Sequence, residues 1–220
     1  MTIPSSAFTR PIDKHDAFMR GAKAMALIAK AAARLDLPET LGLVENRPML
    51  FAGNHRSLFD MVATMAIFDK FGLSCRIMLR GDLMEKGPGA AFLHAIGCIP
   101  TSKAHREEAE ADAIASLRSG QLVAMMPEGR LVPPDQWVDG VGHARPGVAR
   151  IAREAGAVVI PVAFSGTEVL WPRGRMPQPR IPRPPVRLRV GPAIELSGDD
   201  DPADAARVMA AIAKLLPPTT

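Results

Sequence analysis

The sequence has only two cysteines, and it lacks other features that would assign it to a class of protein. Cys75 and Cys98 are not spaced like zinc ligands, and two cysteines in 220 residues do not make a disulfide framework. Such sparse cysteine is typical of a reducing compartment. Residues 1–16 lack the charged start and apolar run of a secretory signal. We therefore expect a cytoplasmic protein.

Long apolar runs are also missing. The longest stretch without a charged residue, residues 87–102, contains glycines, two prolines and a histidine. It falls short of the roughly 20 apolar residues that a bilayer-crossing helix needs. Any membrane contact is therefore expected to be peripheral. Internal repeats and domain linkers are absent as well, which favours a single main domain.

Basic residues outnumber acidic ones by 27 to 23, which mildly favours anionic partners. Residues 16–35 are strong helix formers, and Arg20, Lys23, Lys30 and Arg34 recur on one face. This pattern predicts an amphipathic helix in an N-terminal segment, residues 1–40, before a main domain at 41–220. The basic face is either a solvated surface or a contact with an anionic membrane. Nothing in the pattern indicates a nucleic acid partner.

Short apolar strands alternate with helices through most of the chain. Strands that are apolar on both faces and alternate with helices indicate a single α/β domain with a mainly parallel sheet flanked by helices. The predicted strands are 48–53, 75–79, 98–100, 122–126, 158–164 and one near Val186. The predicted helices are 57–71, 88–96, 104–120, 146–156 and 202–216. Functional sites of such sheets gather where the strands end.

The segment from residue 171 to 189 has six arginines and no acidic residue. Its six prolines predict an extended loop that enters a strand near Val186. We expect this loop to add cationic surface to the protein.

His55 and Asp60 follow the first buried strand, in the stretch FAGNHRSLFDMV. A histidine beside a carboxylate can act as a general base, because the carboxylate orients the ring and stabilises its protonated form. Positions five apart diverge on a continuous helix. The pairing therefore requires His55 in a turn and Asp60 at the start of the next helix.

Four blocks of the sequence resemble the glycerolipid acyltransferases, the family of 1-acylglycerol-3-phosphate acyltransferase. Asn54, His55 and Asp60 form the first block, Asn-His-x-x-x-x-Asp. The second block lies at 80–103 and the third is MMPEGR at 125–130. The fourth is VVIPVAF, and the helical stretch at 142–156 also fits the family order.

The resemblance implies transfer of an acyl group from a thioester of coenzyme A or acyl carrier protein to an acceptor hydroxyl. His55 would take the hydroxyl proton and Asp60 would orient His55, with no covalent acyl-enzyme, metal or redox cofactor. A lysophospholipid such as 1-acylglycerol-3-phosphate is the implied acceptor. Binding roles fall on Asn54, Arg80, Lys103, Glu128, Gly129 and Arg130.

Two departures from the family pattern concern the phosphate of the acceptor. Arg130 and Leu131 stand where threonine and arginine are usual, and Lys103 stands for an arginine. Either Arg130 makes the phosphate contact from a shifted position, or Arg80, Arg106 or Arg145 replaces it. Two alternatives therefore remain: an acyltransferase of the same fold for an acceptor without phosphate, and an inactive protein that binds lipid surfaces. The intact His55 and Asp60 argue against the second.

Overall fold

The computed structural model describes residues 12–85, 89–196, 198 and 200–217. Within them, seven strands form one sheet in the order β1-β7-β6-β2-β5-β3-β4. The strands are β1 (Arg34–Asp36), β2 (Met49–Gly53), β3 (Cys75–Arg80), β4 (Ile99–Thr101), β5 (Leu122–Met125), β6 (Val158–Ser165) and β7 (Pro185–Val190). The helices are α1 (His15–Ala32), α2 (Phe59–Phe71), α3 (Asp82–Glu85), α4 (Ala90–Ala95), α5 (Arg106–Arg118), α6 (Gly147–Ala155), α7 (Thr167–Leu170) and α8 (Asp201–Ala213).

Five neighbouring strands, β6, β2, β5, β3 and β4, run parallel, which confirms the predicted α/β domain with a mainly parallel sheet. Their carboxyl ends form one edge, called here the carboxyl edge. β7 runs antiparallel to β6 and carries β1 parallel to itself. Because of this reversal, the starts of β1 and β7 lie at the carboxyl edge, beside the end of β6.

Hydrophobic cores cover both faces of the sheet. Along β2, Met49 and Phe51 belong to the core that contains α1 and α2, whereas Leu50 and Ala52 belong to the core that contains α5, α6 and α8. This alternation follows from the two-residue period of a strand. All five residues of β2 are buried, which is why its sequence is apolar throughout.

The N-terminal segment joins the sheet and the core directly. Phe18, Ala22, Ala26 and Ala29 are buried, and α1 packs against α2. The predicted helix at 16–35 is too long, because α1 ends at Ala32 and Arg34–Asp36 pairs with β7 as β1. Strong helix formers continue up to that point, so local propensity does not reveal the strand. The four predicted basic residues are exposed.

Other expectations hold to within a few residues, and three need correction. The sequence pattern does not predict the one-turn helices α3 and α7. It also does not predict that β7 runs antiparallel to β6. The predicted start of a helix at residue 88 lies outside the described residues. Among the helices of the described ranges, none is long and apolar enough to cross a bilayer. Both cysteines are buried thiols, and burial raises the pKa of Cys98 to about 12.

Candidate active site

His55 and Asp60 meet in the turn between β2 and α2. The turn covers residues 54–58, and α2 begins at Phe59, so Asp60 lies in the first turn of the helix. His55 Nδ1 is 2.9 Å from Asp60 Oδ2. His55 thus lies in a turn and Asp60 at the start of the next helix, which is the arrangement that pairing across five positions requires.

The Asp60 carboxylate is fully buried and organises this turn. Oδ2 also accepts the backbone N–H groups of Arg56 at 2.7 Å and Ser57 at 2.8 Å. An ionised carboxylate only accepts hydrogen bonds, so Nδ1 of His55 carries the proton and Nε2 is left as the acceptor. The His55 side chain is 22% exposed, which leaves the ring accessible from outside. The arrangement suits proton abstraction by Nε2.

Glu128 lies beneath the same turn, after β5. Its Oε2 accepts the backbone N–H of His55 at 2.5 Å, and its Oε1 accepts the N–H of Gly142 at 2.7 Å. Burial raises the pKa of Glu128, while these two N–H donors act in the opposite direction. Both carboxylate oxygens are thus engaged within the protein. This contact set supports a positioning role more directly than the binding role predicted from the sequence.

Asn54 and Ser57 attach the turn to its surroundings. The fully buried Asn54 donates from Nδ2 to the Phe164 carbonyl at 3.0 Å and accepts the Phe164 N–H at 2.8 Å. Ser57 Oγ donates to the Trp171 carbonyl at 2.8 Å. Asn54 therefore joins β2 to β6, and its amide is occupied by backbone. The role in substrate binding that the resemblance implies for Asn54 stays a prediction.

The glycine turn after β5 lies close to an arginine, but this arginine is not Arg130. Gly129 has φ +66°, and a Cβ at this position would come within 2.8 Å of Arg145 Nε. The Arg145 side chain therefore lies across Gly129. Arg130 is exposed and donates to Gln136 Oε1 at 2.7 Å.

Arg80 and Lys103 also lie at the carboxyl edge, but further along it. Arg80 ends β3 and pairs with Asp82, whose pKa it lowers. Lys103 is exposed two residues after β4. From β2, β3 is the second strand and β4 the third, so at about 4.8 Å per strand they lie roughly 10 and 14 Å away.

Comparison with known proteins decides the family. The family model described as Acyltransferase matches residues 34–165, more than half of the chain. The chain belongs to this acyltransferase family. The match contains the turn with His55 and Asp60 as well as Glu128, and it identifies the chain as an acyltransferase enzyme. A search of curated proteins finds no match.

A solved structure supports the fold assignment. The chain is similar to the 1-acyl-sn-glycerophosphate (LPA) acyltransferase PlsC from Thermotoga maritima, with a TM-score of 0.69. The match covers 92% of this chain and 80% of that one, at 18% sequence identity. At this identity the likeness concerns the fold, which confirms the glycerolipid acyltransferase-like architecture.

An acyltransferase that uses lipid substrates must accommodate an acyl chain, and an apolar cavity adjoins the turn. It is lined by eleven residues, which include Gly53, Phe164, Met125 and Met126. Its volume of about 20 Å³ holds little more than one water molecule. An acyl chain could enter this cavity only if the side chains that line it moved. Met125 and Met126 are suited to such a movement, because methionine side chains are flexible.

Sequence reasoning missed the contacts of Arg56 and the segment that follows Leu131. The pattern Asn-His-x-x-x-x-Asp assigns no role to Arg56. The dipeptide Asp139-Gly140 between two valines is a typical hairpin signal and could have predicted a folded segment there. No sequence signal identifies Gly142 as a partner of Glu128, because its contribution is a backbone N–H.

Proposed function

We propose that this protein is a lysophospholipid acyltransferase that moves an acyl group from an acyl thioester to the free hydroxyl of an acceptor such as 1-acylglycerol-3-phosphate. The observation that carries the proposal is the His55–Asp60 pair, with Nε2 of His55 left as an acceptor. The donor is an acyl thioester of coenzyme A or of acyl carrier protein. The enzyme would act at the cytoplasmic face of a membrane.

The reaction follows from this pair. Nε2 of His55 takes the proton of the acceptor hydroxyl while the oxygen attacks the thioester carbonyl. The Asp60 carboxylate stabilises the imidazolium that forms. The tetrahedral intermediate then expels the thiolate, which receives the proton from His55. The products are an ester and a free thiol, and no covalent acyl-enzyme occurs.

The test of this function is an assay of the purified protein with acyl-CoA and with acyl carrier protein thioesters. The acceptors are 1-acylglycerol-3-phosphate, its phosphate-free counterpart monoacylglycerol, and lysophospholipids with larger headgroups. We expect the highest kcat/KM for the phosphomonoester. A preference for monoacylglycerol would favour the phosphate-free alternative, and no transfer to any acceptor would contradict the proposal.

The phosphate of the acceptor is one glycerol unit from the reacting hydroxyl, so it must bind near His55. β5 neighbours β2, and the Gly129 turn follows β5. Arg145 lies across that turn, whereas Arg130 is bound to Gln136. We therefore assign the phosphate contact to Gly129 and Arg145. Arg80 and Lys103, further along the edge, suit the phosphates of the longer acyl donor.

The first prediction compares these two arginines. Arg145→Ala should raise the KM for 1-acylglycerol-3-phosphate by about 10-fold or more, because a hydrogen bond to a charged group contributes about 1.5–3 kcal/mol. Arg130→Ala is the matched control and should change that KM by less than about threefold. The kcat should change little in either variant, because a phosphate contact that persists throughout the reaction is uniform binding.

The same variants are then assayed with monoacylglycerol. Its KM should be unaffected by Arg145→Ala, since it has no phosphate to lose. A larger effect of Arg130→Ala, or an equal effect on both acceptors, would remove Arg145 from this role.

A basic surface formed by α1 and the loop after α7 suits a substrate drawn from a membrane. It comprises the exposed residues Arg20, Lys23, Leu27, Ile28 and Lys30 of α1 and Arg173, Arg175, Met176, Arg180, Ile181 and Arg183 of the loop between α7 and β7. Arg183 Nη1 donates to the Lys30 carbonyl at 2.6 Å, which joins the two parts.

Charge and exposed apolar side chains occur together on this surface. Leu27 is 62% exposed, and Ile181 is completely exposed. The loop is less cationic than its sequence indicates, because Asp36 of β1 pairs with Arg187 and Arg189. The loop begins at Trp171, whose carbonyl binds Ser57 in the catalytic turn. A bilayer on the basic surface would therefore lie next to the site.

The second prediction is salt-sensitive sedimentation with anionic liposomes. Arg20, Lys23 and Lys30 changed together to Gln should weaken binding about 100-fold at low salt, since each cation near an anionic bilayer contributes roughly 1 kcal/mol. The matched control changes three exposed cations on the other face of the sheet to Gln. They are Arg118 of α5, Arg207 of α8 and Lys214, which directly follows α8. Full binding by the first variant, or equal loss in both, would contradict the proposed surface.

A further inference from the structure

Residues 132–142, called here the strap, form a folded segment beside the catalytic turn. Val138 and Val141 exchange backbone hydrogen bonds of 2.8 and 3.1 Å across Asp139 and Gly140. Asp139 and Gly140 both have positive φ, 51° and 79°, as a type I′ hairpin turn requires. Trp137 Nε1 donates to the Val132 carbonyl at 3.0 Å, which closes the base of the strap.

Arg56 connects the strap to the catalytic turn. Its Nη2 donates to the Gly140 carbonyl at 2.6 Å, and its guanidinium lies 4.3 Å from the centroid of the Trp137 ring. Its Nη1 donates to Glu168 at 3.3 Å. The backbone N–H of the same residue donates to Asp60. With only 11% of its side chain exposed, Arg56 is fixed at both ends.

Glu128 forms a second connection between the same two parts. One of its oxygens binds the N–H of Gly142 in the strap, and the other binds the N–H of His55. The strap position therefore determines how well Glu128 can hold the backbone of His55. A shift of Gly142 would leave a buried carboxylate oxygen without its donor, which is costly.

We propose that Arg56 is a positioning residue that locks the strap against the catalytic turn and thereby fixes His55 for proton transfer. Arg56 acts through Gly140, Trp137 and Glu128 and needs no contact with substrate. The consequence for kcat rests on the proposed acyl transfer, whereas the consequence for the strap does not. The two can be measured separately.

The decisive variant is Arg56→Met, which keeps an apolar stem but loses the guanidinium. Amide hydrogen exchange of residues 138–142, followed by mass spectrometry, should become about 10-fold faster or more. The kcat should fall by about 10- to 100-fold, since misplacement of a reacting group by about 1 Å can cost 10² in rate. Both KM values should stay within about threefold, because binding groups are untouched.

Gly140→Ala tests the same lock from the other side. A Cβ here would lie 2.6 Å from Arg56 Nη2, and the positive φ disfavours alanine. This variant should reproduce the faster exchange and the lower kcat. The kcat of the double variant should lie within about twofold of the kcat of the poorer single variant, because the effects of two residues in one network are not additive. Additive losses would contradict the lock.

The matched control is Arg76→Met. Arg76 also binds a carboxylate, a hydroxyl and a carbonyl, those of Asp112, Ser116 and Gly97, but it lies at the start of β3, away from the carboxyl edge. Its loss should leave strap exchange and kcat unchanged. Should Arg56→Met fail to fold, Gly140→Ala decides the question. Unchanged strap exchange, or faster exchange with kcat within about twofold of wild type, would overturn the proposal even if the wild-type enzyme acylates lysophospholipids as proposed.

Discussion

His55→Ala is expected to abolish measurable acyl transfer. Removal of a general base usually costs about 10²–10⁴-fold in rate, and without the imidazole nothing in this turn takes the hydroxyl proton. The fold should persist, because alanine keeps the backbone N–H bond to Glu128, and Asp60 Oδ2 keeps the N–H groups of Arg56 and Ser57. The measurement is kcat with 1-acylglycerol-3-phosphate and acyl-CoA, together with the melting temperature.

Asp60→Asn separates charge from geometry within the same pair. Asparagine retains an oxygen for the N–H groups of Arg56 and Ser57, so the turn should survive. It loses the negative charge that stabilises protonated His55, and kcat should still fall on the order of 10²–10⁴-fold. His105→Ala, an exposed histidine on the surface, is the control and should keep normal turnover. Near-normal turnover of His55→Ala would refute the mechanism.

The fold could be predicted to the extent that sequence periodicity determines it. β2 and β6 are buried on both faces, so their apolar runs identify central strands directly. β1 was missed because its three residues follow a run of alanines and gain their strand conformation only from pairing with β7. Edge strands depend on such partners, and local propensity does not contain that information.

In the site, too, contacts between residues close in sequence could be predicted, whereas contacts between distant residues could not. His55 and Asp60 are close in sequence, so one turn is enough to bring them together. The contacts of Arg56, by contrast, join residues 84 and 112 positions apart, and that of Glu128 with His55 spans 73 positions. The family resemblance implies a binding role for Glu128, but it does not reveal which atoms the carboxylate binds. Long-range backbone donors become visible only in three dimensions.

Glu128→Gln should lower both stability and kcat, and the pattern of the loss separates positioning from substrate binding. Glutamine has one acceptor oxygen, while Glu128 receives two N–H groups. The amide would therefore present its NH₂ group to the N–H of either His55 or Gly142, and one buried donor would be left unsatisfied. We expect a loss of about 1–3 kcal/mol in the free energy of unfolding and a kcat lower by at least about 10-fold.

If Glu128 instead bound the acceptor, glutamine would raise the acceptor KM with little change in stability. Urea unfolding and steady-state kinetics on the same preparation distinguish the two roles. Glu110→Gln provides a control, because both carboxylate oxygens of Glu110 also accept hydrogen bonds, here from Arg150, on the face of the sheet covered by α5 and α6. It should lose stability while kcat stays normal. A Glu128→Gln enzyme with normal stability and a raised acceptor KM would return Glu128 to substrate binding, because a residue that positions His55 cannot lose one of its donors without a loss of kcat.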